Sequence, residues 1–347
     1  MSEKVMAIDA DGHILERQSD IRRYLDGKWK NRKTDLFPGD QPWDFTLDYT
    51  LGHQYGYRFD LEPQRQLEIW AQAMEEGGME QAILFPTLSG GVAKLQEKDF
   101  AIAVARACNR HFAEAFSTPR LHPLGVLPLR DPAAAAREIE FASRELGLKG
   151  FEILTTGLPT ALGDPIYDPV YEVAQDLGVA LCVHGTRAWG HELGGATLRS
   201  FAEMHAYAFP AGMMLQFTSM MLNGVTERFP RLKLGFMEAG GTWLPYYLDR
   251  LDEHWEKRGE VECPLLTMKP SALFRQSNIV ASIEAEESLL AETLAYLGDG
   301  HLVFASDLPH WDSSYPENLA ELRDHPGFTA DAKRKLLRDN AKAFFGI

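Results

Sequence analysis

The feature that most constrains this chain is a rhythm. Eight short apolar or β-branched runs recur along its 347 residues, mostly separated by longer stretches of helical periodicity. They are Val5 to Asp11, Gln81 to Pro86, Leu124 to Leu129, Leu148 to Leu154, Val179 to His184, Leu232 to Glu238, Asn278 to Ile283 and Leu302 to Asp307. Continuous apolar runs suit strands buried on both faces, and strands alternating with helices build a parallel sheet. Eight such units point to an α/β fold of the (β/α)8 TIM-barrel type. An open nucleotide-binding sheet usually has fewer strands and a GxGxxG first turn. Here that turn reads Asp11-Gly12-His13-Ile14-Leu15-Glu16.

The stretches between runs carry helix punctuation. Asp131-Pro132 and Asp168-Pro169 are N-cap and first-turn proline pairs, and Gly147 and Gly178 stand where C-terminal caps belong. The alternation breaks at 29–60, where Trp43, Phe45, Tyr49, Tyr55, Tyr57 and Phe59 lie among Gly, Pro and Asp. This insertion after the first strand is expected to be either a lid or an edge-covering excursion. Residues 1–347 are expected to form one barrel domain.

Charge and cysteine content narrow the function. With 35 Lys and Arg against 50 Asp and Glu, the formal net charge is -15, the wrong sign for nucleic acid or an anionic membrane. Cys108, Cys182 and Cys263 are too far apart for a CxxC zinc site or a disulfide framework. The absence of a signal-like or membrane-length apolar stretch leads to the expectation of a cytoplasmic protein.

A barrel's chemistry sits at the C-terminal ends of its strands. The first run closes on Asp9, Asp11 and His13, with Glu16 just beyond; the fifth closes on His184, the sixth on Glu238, and the eighth on Asp307 followed by His310. A lone buried polar residue is usually a satisfied cap, but four or more carboxylates at one mouth would repel one another unless a cation compensated them. That implies a metal site. A protein that had kept the barrel and lost the chemistry would be expected to have lost these residues as well.

Asp11-x-His13, His184, the segment from Glu227 to Trp243 and Ser306-Asp307-Leu308-Pro309-His310 together resemble the amidohydrolase-related family that includes aminocarboxymuconate semialdehyde decarboxylase. That family implies a metal-dependent (β/α)8 barrel. Two positions depart from it: its first-strand HxH is Asp11-Gly12-His13 here, and its sixth-strand histidine is Glu238. The DxDGHxxE start, Asp9 to Glu16, extends the resemblance to TIM-barrel non-heme di-iron monooxygenases, and added carboxylates suit oxidised iron better than a zinc hydrolase.

This resemblance implies one metal on Asp11, His13, His184 and Asp307, and a second on some of Glu16, His205, Glu238 and His310. The expected enzyme uses two irons and O2, with an external electron donor or reductase, to hydroxylate, with or without loss of CO2, a small apolar or aromatic carboxylate or CoA-linked substrate. The alternative is a hydrolase or non-oxidative decarboxylase with one zinc or manganese. Asp307, His310 and Glu238 are the expected catalytic groups. Arg187 would hold a substrate carboxylate or form a surface salt bridge, His191 would line the entrance, and Trp311 would wall the pocket. A homodimer is expected only from the general frequency of homo-oligomers.

Overall fold

The structure is a computed structural model and describes residues 5–37, 50–52, 54–186 and 193–347. Its strands are β1 (Ala7–Ile14), β2 (Met79–Pro86), β3 (Leu121–Pro123), β4 (Gly125–Val126), β5 (Gly150–Leu154), β6 (Ala180–His184), β7 (Lys233–Met237), β8 (Asn278–Ile283) and β9 (Leu302–Phe304). Every pairing between these strands is parallel. β3 and β4 are two halves of one strand, joined at Leu124, whose N–H donates to the Leu84 carbonyl of β2. The circuit closes where the chain after β9 returns to β1: Asp307 N–H donates to the Asp11 carbonyl (2.9 Å) and His13 N–H to the Leu308 carbonyl (2.8 Å). The fold is a (β/α)8 barrel.

The third strand lies a few residues earlier than the expected 124–129. Asn109 explains part of the shift: its side chain accepts from Val126 N–H and donates to the Val126 carbonyl, taking the place of a sheet neighbour. Past Val126 the backbone bonds to itself, Leu129 N–H to the Leu127 carbonyl, and leaves the sheet. After β6 the helix Phe201–Leu222 is followed by a short helix, Val225–Arg228, and the two are separated at Gly224, whose φ of 67° is left-handed.

Side-chain alternation decides what enters the barrel. Ile8, Ala10, Ile83, Phe85, Leu124, Ala180, Cys182, Met237, Val280 and Val303 fill its interior, with Phe344 and Phe345 packed against them. On β6, Ala180 and Cys182 belong to this plug, so His184 two residues on points inward above it. On β5, Phe151 and Ile153 pack outside, which turns Glu152 inward. On β1 the pairing register shifts between Asp9 and Gly12, and such irregularities re-aim side chains beside functional sites. Gly12 has no freedom to grow, since a Cβ there would lie 2.2 Å from the Trp70 ring.

The insertion is described at 29–37, 50–52 and 54–60. Its Thr50–Gly52 portion runs antiparallel to the chain after β9: Gly52 N–H donates to the Pro309 carbonyl (2.7 Å) and Trp311 N–H to the Thr50 carbonyl (3.2 Å). Among the described residues no helix is long and apolar enough to cross a membrane.

Candidate metal centre

Six of the expected residues meet at the mouth of the barrel. His13 Nε2 lies 3.6 Å from Asp11 Oδ1, 3.2 Å from Asp307 Oδ1 and 3.7 Å from Glu238 Oε2. His184 Nε2 lies 2.7 Å from Glu238 Oε2 and 3.6 Å from Asp11 Oδ1, and His310 Nδ1 is 2.6 Å from Asp307 Oδ1. Two overlapping ligand groups result, Asp11 with His13 and His184, and His13 with Glu238, Asp307 and His310.

Backbone geometry aims these groups. Glu238 and Asp307 both follow the last residue of a strand or its extension and adopt left-handed φ values, 60° and 51°. A side chain is uncommon there and the conformation costs about 1–3 kcal/mol, so surrounding bonds must hold it. Glu238 N–H donates to Ser282 Oγ (2.8 Å), and the Asp307 N–H bond to β1 does the same service. His184 Nδ1 donates to the Gly185 carbonyl at 2.7 Å, which leaves the Nε2 lone pair facing the cluster.

The electrostatics are those of a site built around a positive charge. Among the described residues, both Asp11 oxygens, His13 Nε2, His184 Nε2 and Glu238 Oε2 are buried and make no hydrogen bond outside their own cluster. Burial pushes the Asp11 carboxyl up to about 7 and the His13 imidazole down to about 4. Burial also opposes charge on His184 and His310. The Glu238 and Asp11 carboxylates nevertheless hold His184 well above its usual value, and Asp307 lifts His310 to about 9. Asp307, despite burial, is held far below the carboxylate range by His310 and His13. A partnerless buried carboxylate costs several kcal/mol, and a divalent cation among these atoms would remove that cost. The donor set, oxygen and imidazole nitrogen, fits such an ion.

Other expected residues lie elsewhere. The Glu16 carboxylate accepts from the backbone N–H groups of Thr87 (3.0 Å), Leu88 (3.1 Å) and Ser89 (2.7 Å) and from the Ser89 hydroxyl. His205 stacks on Phe209 at 4.2 Å and meets Trp311 edge-on at 5.5 Å, with Nε2 3.8 Å from Asp312 Oδ2. Trp311 and Phe201 join them in lining the pocket above the cluster. Arg187 and His191 lie outside the described residues.

The sequence reading passed over two acids. Glu152 on β5 is 3% exposed and lines the pocket, with Oε1 3.7 Å from His184 Nδ1 and Oε2 without a partner. Burial pushes it up to about 8. A lone acid in the inward phase of Phe151-Glu152-Ile153 was the available signal. Asp312, two residues after His310, lines the same pocket and is likewise raised to about 8 by burial and by Asp307.

A barrel with carboxylates and imidazoles on the ends of its first, fifth, sixth and eighth strands defines a class before any comparison is made. The comparisons agree: the amidohydrolase family model matches residues 8–347, and the chain belongs to that family. It is 26% identical over 272 residues to 2-amino-3-carboxymuconate-6-semialdehyde decarboxylase of Dictyostelium discoideum, covering 76% of this chain and 71% of that one. Gamma-resorcylate decarboxylase of Rhodococcus jostii is 25% identical over 320 residues, 87% of this chain and 95% of that protein. The 5-carboxyvanillate decarboxylase of Novosphingobium aromaticivorans, solved with manganese and 4-hydroxy-3-methoxy-5-nitrobenzoic acid, superposes with a TM-score of 0.74 at 20% identity, covering 99% and 96% of the two chains.

These findings correct the expectation of a non-heme di-iron monooxygenase with two irons and O2. The relatives are decarboxylases, and the solved neighbour holds manganese. The structure supplies the physical reason. Of the second ligand set, Glu16 is occupied by backbone donors and His205 stands in the pocket wall, while Glu238 and His310 fall into the same cluster as His13 and Asp307.

Proposed function

We propose that this protein is a non-oxidative, metal-dependent decarboxylase of a small aromatic carboxylate, with one divalent cation held by Asp11, His13, His184 and Asp307. The observation that carries the reading is the convergence of five buried, partnerless polar atoms beneath an aromatic-walled pocket. The decarboxylase relatives give the reaction class.

A bound divalent cation would supply positive charge to hold the substrate's anionic oxygens and to offset the charge that builds as CO2 leaves. The protein's own groups do the rest. Phe201, Phe209 and Trp311 flank the ring of the substrate and exclude water from it. When the bond between ring and carboxylate breaks, its electron pair stays on the ring carbon and a proton must replace CO2. The Asp307 and His310 pair, joined at 2.6 Å, is placed to deliver it, with Asp307 fixing the imidazole's orientation. Glu238, whose Oε2 lies 2.7 Å from His184 Nε2, faces the same pocket. Glu152 offers an oxygen to a hydroxyl or amine on the substrate. From the insertion, Thr50 lines the pocket, held beside Pro309 and Trp311 by the backbone bonds of Thr50 and Gly52. No outside electron donor enters this balance.

The test is anaerobic. Protein stripped of metal and reloaded with Mn2+ or Zn2+ is incubated with 2,6-dihydroxybenzoate, 5-carboxyvanillate and related hydroxybenzoates while CO2 is measured. Equal CO2 release with and without oxygen is expected for at least one acid. Turnover that required oxygen and consumed it would defeat the reading.

A further inference from the structure

The cluster opens onto two cavities, and they differ in character. The aromatic-walled pocket reaches His13, His184, Glu238 and His310. A second cavity of about 270 Å³ lies on the other side of Glu238 and Asp307. Asp11, Glu238 and Asp307 line its inner end, and the further acids on its wall are Glu284, Glu286 and Asp312. Asp11 and Asp307 line this cavity and are not among the residues lining the aromatic pocket.

Exposure falls along this second path. Glu284 and Glu286 are exposed, whereas Asp11 is fully buried and both its oxygens are partnerless. A second observation on the same wall points to a cation: the Asn318 side chain is 7% exposed, and among the described residues its amide oxygen has no hydrogen-bond partner. Neutral amide and carboxylate oxygens are the ligands that hard divalent ions exchange for water. Glu238 and Asp312 are shared with the aromatic pocket, so Asp11, Asp307, Glu284 and Glu286 set this wall apart, and one sign of charge in a low-dielectric cleft focuses the field along it.

We propose that the acidic cavity is the loading port through which a divalent cation reaches Asp11 and Asp307, separate from the aromatic mouth that admits the substrate. This rests on the metal centre proposed above. Glu284 and Glu286 draw the hydrated ion from solvent, the Asn318 oxygen lies along its path, and Asp11 receives it. The port sets the rate of loading, while the four ligands set the affinity.

The experiment mixes metal-free protein rapidly with Mn2+ and follows loss of the free-ion paramagnetic resonance signal at several salt concentrations. The double variant E284Q/E286Q is expected to take up Mn2+ about three- to tenfold more slowly, with a weaker salt dependence, because two charges that steer the ion are gone. Its final Mn2+ content should equal that of the parent. Adding charge to the wall with N318D should speed uptake, and this arm remains readable if the double variant folds poorly. E260Q, on an exposed helical position remote from the cavity wall, should leave the rate unchanged. Parental rate and salt dependence in a folded E284Q/E286Q, or no acceleration in N318D, would overturn the port while leaving the metal centre standing. Failure of the parent protein to bind Mn2+ would overturn both.

Discussion

Asp11 and Glu16 stand five residues apart, both carboxylates are buried, and both look like ligands in the sequence. Glu16 is surrounded by donors: three backbone N–H groups and a hydroxyl from residues 87–89 converge on it. Among the described residues Asp11 has no backbone or hydroxyl donor on its oxygens, only the His13 and His184 imidazoles 3.6 Å away. Asp9 sides with Glu16, accepting from the Asp11 N–H (3.1 Å), the Ser306 N–H (2.9 Å) and the Ser306 hydroxyl. Of three acids in one motif, two are latches that tie β1 to neighbouring segments and one keeps its oxygens free of such bonds, as the proposed metal centre requires. Burial alone does not separate these roles. The count of donors does.

That contrast can be broken by exchanging the fates of the two residues. The largest expected effect is on metal binding: D11N should weaken Mn2+ affinity by about a hundredfold or more, as loss of a direct ligand exceeds the 10–100-fold typical of supporting residues. Equilibrium dialysis against Mn2+ measures it. The metal-free D11N protein should at the same time be more stable than its parent by about 1 kcal/mol, because a carboxyl that burial disfavours as an ion has been made permanently neutral.

E16A should behave in the opposite way, losing about 3 kcal/mol or more of stability as several buried N–H donors lose their acceptor. Its metal content should fall little once it is folded. Urea titration and metal analysis on the same samples read both quantities. If E16A also lost its metal at full occupancy of the fold, the division into latch and ligand would fail.

Glu152 sharpens the comparison through pH. Its folded value of about 8 lies above the usual carboxylate range, so between about pH 4.5 and 8 the unfolded chain has released a proton that the folded chain retains. Its contribution therefore lowers stability as pH rises through that window. E152Q removes it, and metal-free E152Q should gain on the parent by up to about 1.4 kcal/mol per pH unit. Parallel stability curves for the two proteins from pH 5 to 8 would show that Glu152 does not titrate in this way. The smallest effect belongs to S89A, which withdraws one of the donors to Glu16 and should cost about 1 kcal/mol with metal binding intact.

The barrel was legible because its evidence is periodic and local: apolar runs, proline and glycine punctuation, and acids or histidines at run ends. The third strand was misplaced by a few residues because a side chain seventeen positions away, Asn109, bonds to Val126, and no local pattern records that. At the site, Asp11, His13, His184, Glu238, Asp307 and His310 all stand at the end of an apolar run or just beyond it and can be read from position alone. Glu16 resembled them in sequence, yet the donors that occupy it come from a turn more than seventy residues on. Glu152 was passed over for the converse reason. It sits within a strand and not at its end, so only its phase against Phe151 and Ile153 marks it as inward.

The left-handed backbones of Glu238 and Asp307 bear on how such a chain would drift. Glycine would relieve each position of about 1 kcal/mol or more of strain, so folding alone gives no reason to keep a side chain there. A lineage released from its chemistry would be drawn toward glycine at both places and would become sturdier as it fell silent. This chain carries an acid at each of them, so under the proposed function the cost of both backbones is set against the work their carboxylates do at the barrel mouth.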